Sequence, residues 1–139
     1  MLLLSLHIGA GQYALESRYI VEVVPLVHCE PLPHTPIWVA GRMNYRGKAI
    51  PAVDLCQLLA QRPSKRCLNT RIIVCKGQQT VGLIAEGVTT TFIAAEDDFK
   101  AESMDLQKLS YLKGVLTEVT PSIQLIDLPE LLLSLKEGL

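Results

Sequence analysis

Two aspartates, Asp54 and Asp127, are the first residues in this chain whose type could do chemistry. A carboxylate pair can share general acid and base work when a fold brings both members to one substrate. Each, however, stands directly before the same pattern, Leu55-Cys56-Gln57-Leu58-Leu59 and Leu128-Pro129-Glu130-Leu131-Leu132. There a carboxylate can accept the free amides of a helix's first turn, and Glu130, three residues after Asp127, would complete a capping box. The spacing predicts helix caps and no catalytic pair.

The remaining reactive side chains are scattered. His28, Cys29 and His34 are possible metal ligands, but no two show zinc-finger spacing, and prolines stiffen the loop that carries them. Cys29, Cys56, Cys67 and Cys75 contain no Cys-x-x-Cys pair, and none sits in a recognisable nucleophile turn. They are expected to be reduced thiols. Gly82 and Gly87 do not form a Gly-x-Gly-x-x-Gly array, so they predict a bulge or a barrel corner and no phosphate loop. The expectation is no enzyme, no metal and no cofactor.

Two charged residues stand out by position. Glu22 is the only charge in the apolar run Ile20 to Val24, and the residues alone place it on the exposed face of an alternating strand. Arg46 lies at a turn tip beside Gly47, whose freedom at positive φ is expected to satisfy the turn. Turn tips on rigid strands collect binding residues, and a guanidinium there can hold carboxylates or carbonyls in a fixed fork.

The elements that position these residues follow from composition and repeats. At 139 residues the chain fits one compact domain or two packed halves. A chain of that size buries roughly 70% of its unfolded surface. Hydrophobic residues make up 49% and charged residues 19%. The mean hydropathy of +0.29 exceeds what a small core needs, so some apolar surface is expected to meet partners. The net charge of -1 gives no broad positive field, and Lys48, Lys65, Arg66 and Arg71 are the densest basic cluster, so nucleic acid is not expected. The apolar runs Met1 to Leu6 and Leu131 to Leu135 are too short to span a bilayer, and a soluble, cytoplasmic protein is expected.

Val39 to Leu59 and Leu112 to Leu132 align without a gap at an offset of 73, since 112 minus 39 is 73. Gly41, Ile50, Asp54, Leu55, Leu58 and Leu59 recur as Gly114, Ile123, Asp127, Leu128, Leu131 and Leu132. Each segment reads as strand, turn, strand and short helix, with Arg46-Gly47 and Thr120-Pro121-Ser122 as the turns. A hairpin precedes each: Leu2 to Ile8 with Tyr13 to Leu15, and Arg71 to Lys76 with Thr80 to Ala85. Pro25 to Pro36 reads as an extended crossing, Gln61 to Asn69 as the linker, and Asp97 to Asp105 as a charged loop. The prediction is mainly β: a single domain, 1–139, of two five-stranded halves, 1–66 and 67–139, able to exchange strands.

Several segments together resemble one family. Asn44-Tyr45-Arg46-Gly47-Lys48-Ala49-Ile50-Pro51-Ala52-Val53-Asp54-Leu55 is similar to the signature of the CheW family, and Ile20-Val21-Glu22-Val23 to its Val-x-Glu-Ile element. Leu32 to Pro36 with Val39-Ala40-Gly41, Val81 to Val88, and Tyr111-Leu112-Lys113-Gly114 follow in the family's order. Tyr45 stands where the family usually has Leu, Cys56 where Arg often follows, and Thr91 where an apolar residue is common. The resemblance implies two SH3-like β-barrel subdomains with short capping helices. It also implies a non-enzymatic adaptor coupling a chemoreceptor to a CheA-type histidine kinase, in chemotaxis, twitching or second-messenger control. The implied partners are the receptor's cytoplasmic tip and the kinase's regulatory domain, with recruitment to membrane receptor arrays and no insertion into the membrane. Carried over residue by residue, receptor binding falls to Ile20, Glu22, Gly41, Arg46 and Thr91. Kinase binding falls to Leu26, Cys29, Ile37 and Trp38, the last being the sole tryptophan.

Overall fold

The structure is a computed structural model in which residues 1–101 and 109–139 are described. Ten strands and two helices follow in order: β1 (Leu2–Ile8), β2 (Gly11–Glu16), β3 (Ile20–Pro25), β4 (Val39–Tyr45), β5 (Lys48–Asp54), α1 (Leu55–Ala60), β6 (Arg71–Lys76), β7 (Thr80–Ala85), β8 (Gly87–Ile93), β9 (Leu112–Leu116), β10 (Ile123–Ile126) and α2 (Leu128–Leu135). Of the charged loop expected over 97–105, Asp97 and Asp98 fall in a 3-10 turn and Lys100 bridges to Val115, while 102–105 lie outside the described residues.

The strands form two five-stranded sheets of identical plan, β3-β6-β7-β5-β4 and β8-β1-β2-β10-β9. The repeat pairs β3 with β8, β6 with β1, β7 with β2, β5 with β10 and β4 with β9, and each pair holds the same place. In both sheets the third of the four strand contacts is parallel, β7 with β5 and β2 with β10. The hairpin that opens each half is built into the other half's sheet, so strands from both sides of residue 66 meet in each. The end strands of a sheet are not paired with each other, so the two subdomains are barrel-like but open.

Three apolar clusters explain this arrangement. One fills the first sheet with Met43, Ile50, Ala52, Ile72, Val74 and Ile84. A second fills the other sheet with Leu3, Ala14, Phe99, Leu116 and Leu125. The largest lies between them and joins Leu4, Leu6, Tyr13, Leu15, Val53, Ile73, Cys75, Leu83, Ile126 and both helices. β6 therefore buries Ile72 and Val74 on one face and Ile73 and Cys75 on the other, which is why its sequence is continuously apolar. Burying each such aliphatic side chain contributes about 1.5–3 kcal/mol.

Gly82 is not at a bulge. It sits in regular register, and a Cβ there would lie 2.8 Å from Ile72 Cγ2 and 2.9 Å from Met43 Sδ, so its role is close packing. Gly87 does mark a corner, where the chain leaves the first sheet after β7 and enters the second as β8. The register shift along β8 falls between Val88 and Thr91 instead.

Asp54 and Asp127 cap α1 and α2, accepting from Cys56 N at 3.0 Å and Glu130 N at 3.1 Å. The reciprocal half of the predicted capping box does not form, because the Asp127 N–H donates to the Tyr111 carbonyl at 2.8 Å. The linker after α1 is firmly pinned. Ser64 N donates to Asp54, and buried Glu86 accepts from Lys65 N at 2.7 Å, from Gly9 N and from both terminal nitrogens of Arg62.

Candidate functional site

β3 reverses the alternation expected of it. Ile20, Glu22 and Val24 are half-buried, Ile20 against the central cluster and Val24 against the first sheet's interior, with a register shift between Ile20 and Glu22, whereas Val21 and Val23 are 45% and 38% exposed. The half-exposed Glu22 carboxylate takes its partners from the turn between β4 and β5. Arg46 Nη2 donates to Glu22 Oε1 at 2.9 Å, and the Tyr45 hydroxyl donates to the same oxygen. That hydrogen bond, ahead of burial, raises the Tyr45 pKa above its ordinary value. The Arg46 guanidinium also lies over the Tyr45 ring, 5.2 Å from its centroid. β3 and β4 are opposite ends of one sheet, so this cluster closes the open barrel with side chains where no backbone ladder exists.

The turn itself departs from expectation. Tyr45 pairs with Lys48, leaving Arg46 and Gly47 as its two central residues, both at positive φ, +50° and +80°. This is a type I′ hairpin, and Arg46 shares the left-handed conformation that Gly47 was expected to supply alone. Asn44 Oδ1 accepts Gly47 N at 3.0 Å and holds the loop.

The other receptor-side candidates are more dispersed. Ile20 packs against the central apolar cluster. Gly41, at φ +138°, runs so close to the chain at Glu30 that a Cβ would stand 2.2 Å from the Glu30 carbonyl oxygen. Thr91 is exposed on β8, the edge of the other sheet. β3 and β8 nonetheless flank a common groove, lined by Val23 on one side and Gly87, Val88 and Thr89 on the other, with His7, Asn69 and Arg71 completing it. Sequence reading missed these lining residues. The available signal was Val23, one of two valines flanking the only charge of β3.

Of the kinase-side candidates, Ile37 is 75% exposed. Leu26 is half-buried against the first sheet's interior. Cys29 is buried there, its thiol facing the Val27 carbonyl and its pKa raised by burial. Trp38 packs on the central cluster and against Gly138, and its carbonyl accepts Asp54 N at 2.8 Å. Among the described residues no three His, Cys, Asp or Glu side chains gather as a metal site, and no helix is long and apolar enough to cross a membrane.

Comparison with known proteins places this architecture. A solved scaffolding protein, the CheW of Thermoanaerobacter tengcongensis, superposes with a TM-score of 0.81 over 90% of this chain and 82% of its own, at 24% identity, which establishes the shared fold. A chemotaxis protein CheW of Rhizobium meliloti is 25% identical over 91% of this chain and 83% of its own length. Protein FrzA of Myxococcus xanthus is 28% identical over 59% of this chain and 52% of its own. Residues 2–136 match the family described as the CheW-like domain, and the chain belongs to that family.

Proposed function

We propose that this protein is a non-enzymatic adaptor of a chemosensory pathway, coupling the cytoplasmic tip of a chemoreceptor to the regulatory domain of a CheA-type histidine kinase. The observation that carries the reading is β3, an edge strand that turns Val21 and Val23 outward and holds its glutamate half-buried beside a groove shared with β8. Exposed apolar residues beside a groove fit a protein partner better than a small metabolite. The Arg46–Glu22–Tyr45 cluster fixes the rim of that surface. Ile20, Glu22, Arg46 and, across the groove, Thr91 belong to the receptor side. Ile37 and the neighbouring Leu26, Cys29 and Trp38 belong to the kinase side, with exposed Ile37 as its apolar contact. Such an adaptor works in the cytoplasm and is recruited to membrane receptor arrays through its partners.

The family relatives support this reading, two of them being named for chemotaxis or scaffolding. The test is reconstitution from purified receptor cytoplasmic fragment, kinase regulatory domain and this protein. Binding to each partner singly, and a ternary complex that forms only when the protein is added, is the expected result. Failure to bind either partner removes the coupling role.

A further inference from the structure

Beneath the Arg46 turn, at the end of the first sheet, lies a pocket of about 220 Å³. Val21, Ile50 and Tyr45 give it apolar walls, and Arg46, Lys48 and Lys76 bring three cations to it. The Glu22 carboxylate on β3 is already engaged by Arg46 and Tyr45. Lys48 and Lys76 form no ion pair among the described residues, and both are exposed. Val21 belongs both to this pocket and to the outward face of β3, so pocket and docking face are continuous.

We propose that this pocket is the selectivity subsite of the docking face: it accepts one apolar side chain of the receptor segment, flanked by carboxylates that pair with Lys48 and Lys76. The inference rests on the coupling reading above and deepens it by naming the chemistry of the segment. Like charges held together around an apolar floor favour an occupant that brings the opposite charge and covers the floor at once. A free phosphate would satisfy the cations but leave the walls of Val21 and Ile50 uncovered. A basic or neutral segment would leave the lysines facing each other. Arg46 is held on Glu22 and orients the rim, whereas Lys48 and Lys76 remain free to meet the incoming carboxylates.

The experiment measures affinity for receptor cytoplasmic fragments over a range of salt concentrations. It compares the wild type with Lys48→Glu/Lys76→Glu, the milder Lys48→Gln/Lys76→Gln and the charge-preserving Lys48→Arg/Lys76→Arg. Lys100→Glu, at the edge of the other sheet, is the control. Charge reversal should weaken receptor binding by at least about tenfold and neutralisation by less, while the Arg pair and the control stay within about twofold. The salt dependence should flatten in the reversed and neutral variants. Kinase-domain binding and thermal unfolding should be unchanged. If the wild type binds receptor and both the reversed and neutral variants bind equally well, the subsite is wrong while coupling stands. If the wild type binds no receptor fragment, the coupling reading fails and the subsite with it.

Discussion

Trp38 and Tyr111 occupy the same place in the two repeats: each gives its backbone carbonyl to the N–H of the aspartate that caps the following helix, at 2.8 Å in both. Their separation is the repeat offset, since 111 minus 38 is 73. The duplication therefore preserves a hydrogen bond whose donor and acceptor lie sixteen residues apart, 54 minus 38 or 127 minus 111. This bond fixes each helix against the strand that enters its sheet.

The two caps should nevertheless differ in energy. Asp54 is buried and also holds the linker through Ser64 N and the Ser64 hydroxyl, whereas Asp127, among the described residues, adds only a distant Lys113 Nζ at 3.9 Å. Replacing an ordinary cap by alanine costs about 1 kcal/mol. Asp54→Ala should cost about 3 kcal/mol, because buried donors lose their acceptor, and Asp127→Ala about 1 kcal/mol. Denaturant titration of both variants checks the ratio, and equal losses would mean that the linker contacts contribute nothing.

Glu86 joins three parts of the chain at the corner between the sheets, accepting from Arg62, Lys65 N and Gly9 N. The Arg62 hydrogen bonds, ahead of the other contacts, hold its carboxyl well below the usual range. A folded-state pKa below the unfolded value means that the stabilisation is full above about pH 4.3 and is lost as pH falls further. Glu86→Gln should therefore cost about 3 kcal/mol near neutral pH. That difference from the wild type should shrink steadily as the pH is lowered toward about 3. A pH-independent difference would show that charge at Glu86 is not what holds the corner.

The four thiols should separate by reactivity. Burial pushes Cys56 up to about 11 and Cys75 up to about 12, and both side chains are inaccessible. Cys67 is exposed, and its pKa is lowered first by the Thr70 hydroxyl and then by the Asn69 backbone. A thiol-directed reagent at neutral pH should label Cys67 first and the buried pair only on unfolding. Peptide mapping after brief labelling reads this directly, and early modification of Cys75 would contradict the burial of β6.

Much of this was legible in the sequence because the repeat fixes strand order twice over. The β6–β7 hairpin and both helix starts follow from apolar runs, glycine turns and the Asp-Leu pattern. Strand exchange between sheets was only left open, since local periodicity carries no information on which sheet receives a hairpin. The partners of Glu22 were hidden for a related reason. Alternation gives two faces but not what meets each, and Tyr45 and Arg46 reach the half-exposed Glu22 carboxylate from a distant turn. The basic cluster expected from Lys48, Lys65, Arg66 and Arg71 also divides. Lys48 joins Arg46 and Lys76, while Arg66 and Arg71 line a separate depression with Leu26 and Leu68.

Gly41 illustrates how a binding candidate can be a packing residue. A methyl group at its Cβ would overlap the Glu30 carbonyl at 2.2 Å, and its φ of +138° is unfavourable for other side chains. Gly41→Ala should lose at least about 2 kcal/mol of stability. Loss of receptor binding in that variant should track the fraction unfolded. Thermal unfolding measured beside binding distinguishes this from a direct contact, which would weaken binding in a fully folded protein.

Arg46 offers the opposite case, because its side chain and its backbone can be separated. Its φ of +50° is one that asparagine adopts more readily than most residues, so Arg46→Asn keeps the type I′ turn while removing the guanidinium. What is lost locally is one ion pair to Glu22 and the stacking over Tyr45, with the Arg46 side chain 70% exposed, together worth about 1 kcal/mol, and the better turn residue offsets part of it. The unfolding temperature should therefore move by no more than a few degrees. Receptor binding should fall roughly 30-fold, corresponding to about 2 kcal/mol for a docking rim no longer oriented by Arg46, while kinase binding persists. Arg46→Lys, which keeps the charge but not the planar fork, should recover only part of the affinity. A variant that unfolds many degrees earlier would make the Glu22 cluster a structural clasp. Unchanged affinity in a stable Asn variant would remove Arg46 from the docking surface and leave the groove between β3 and β8 to act without it.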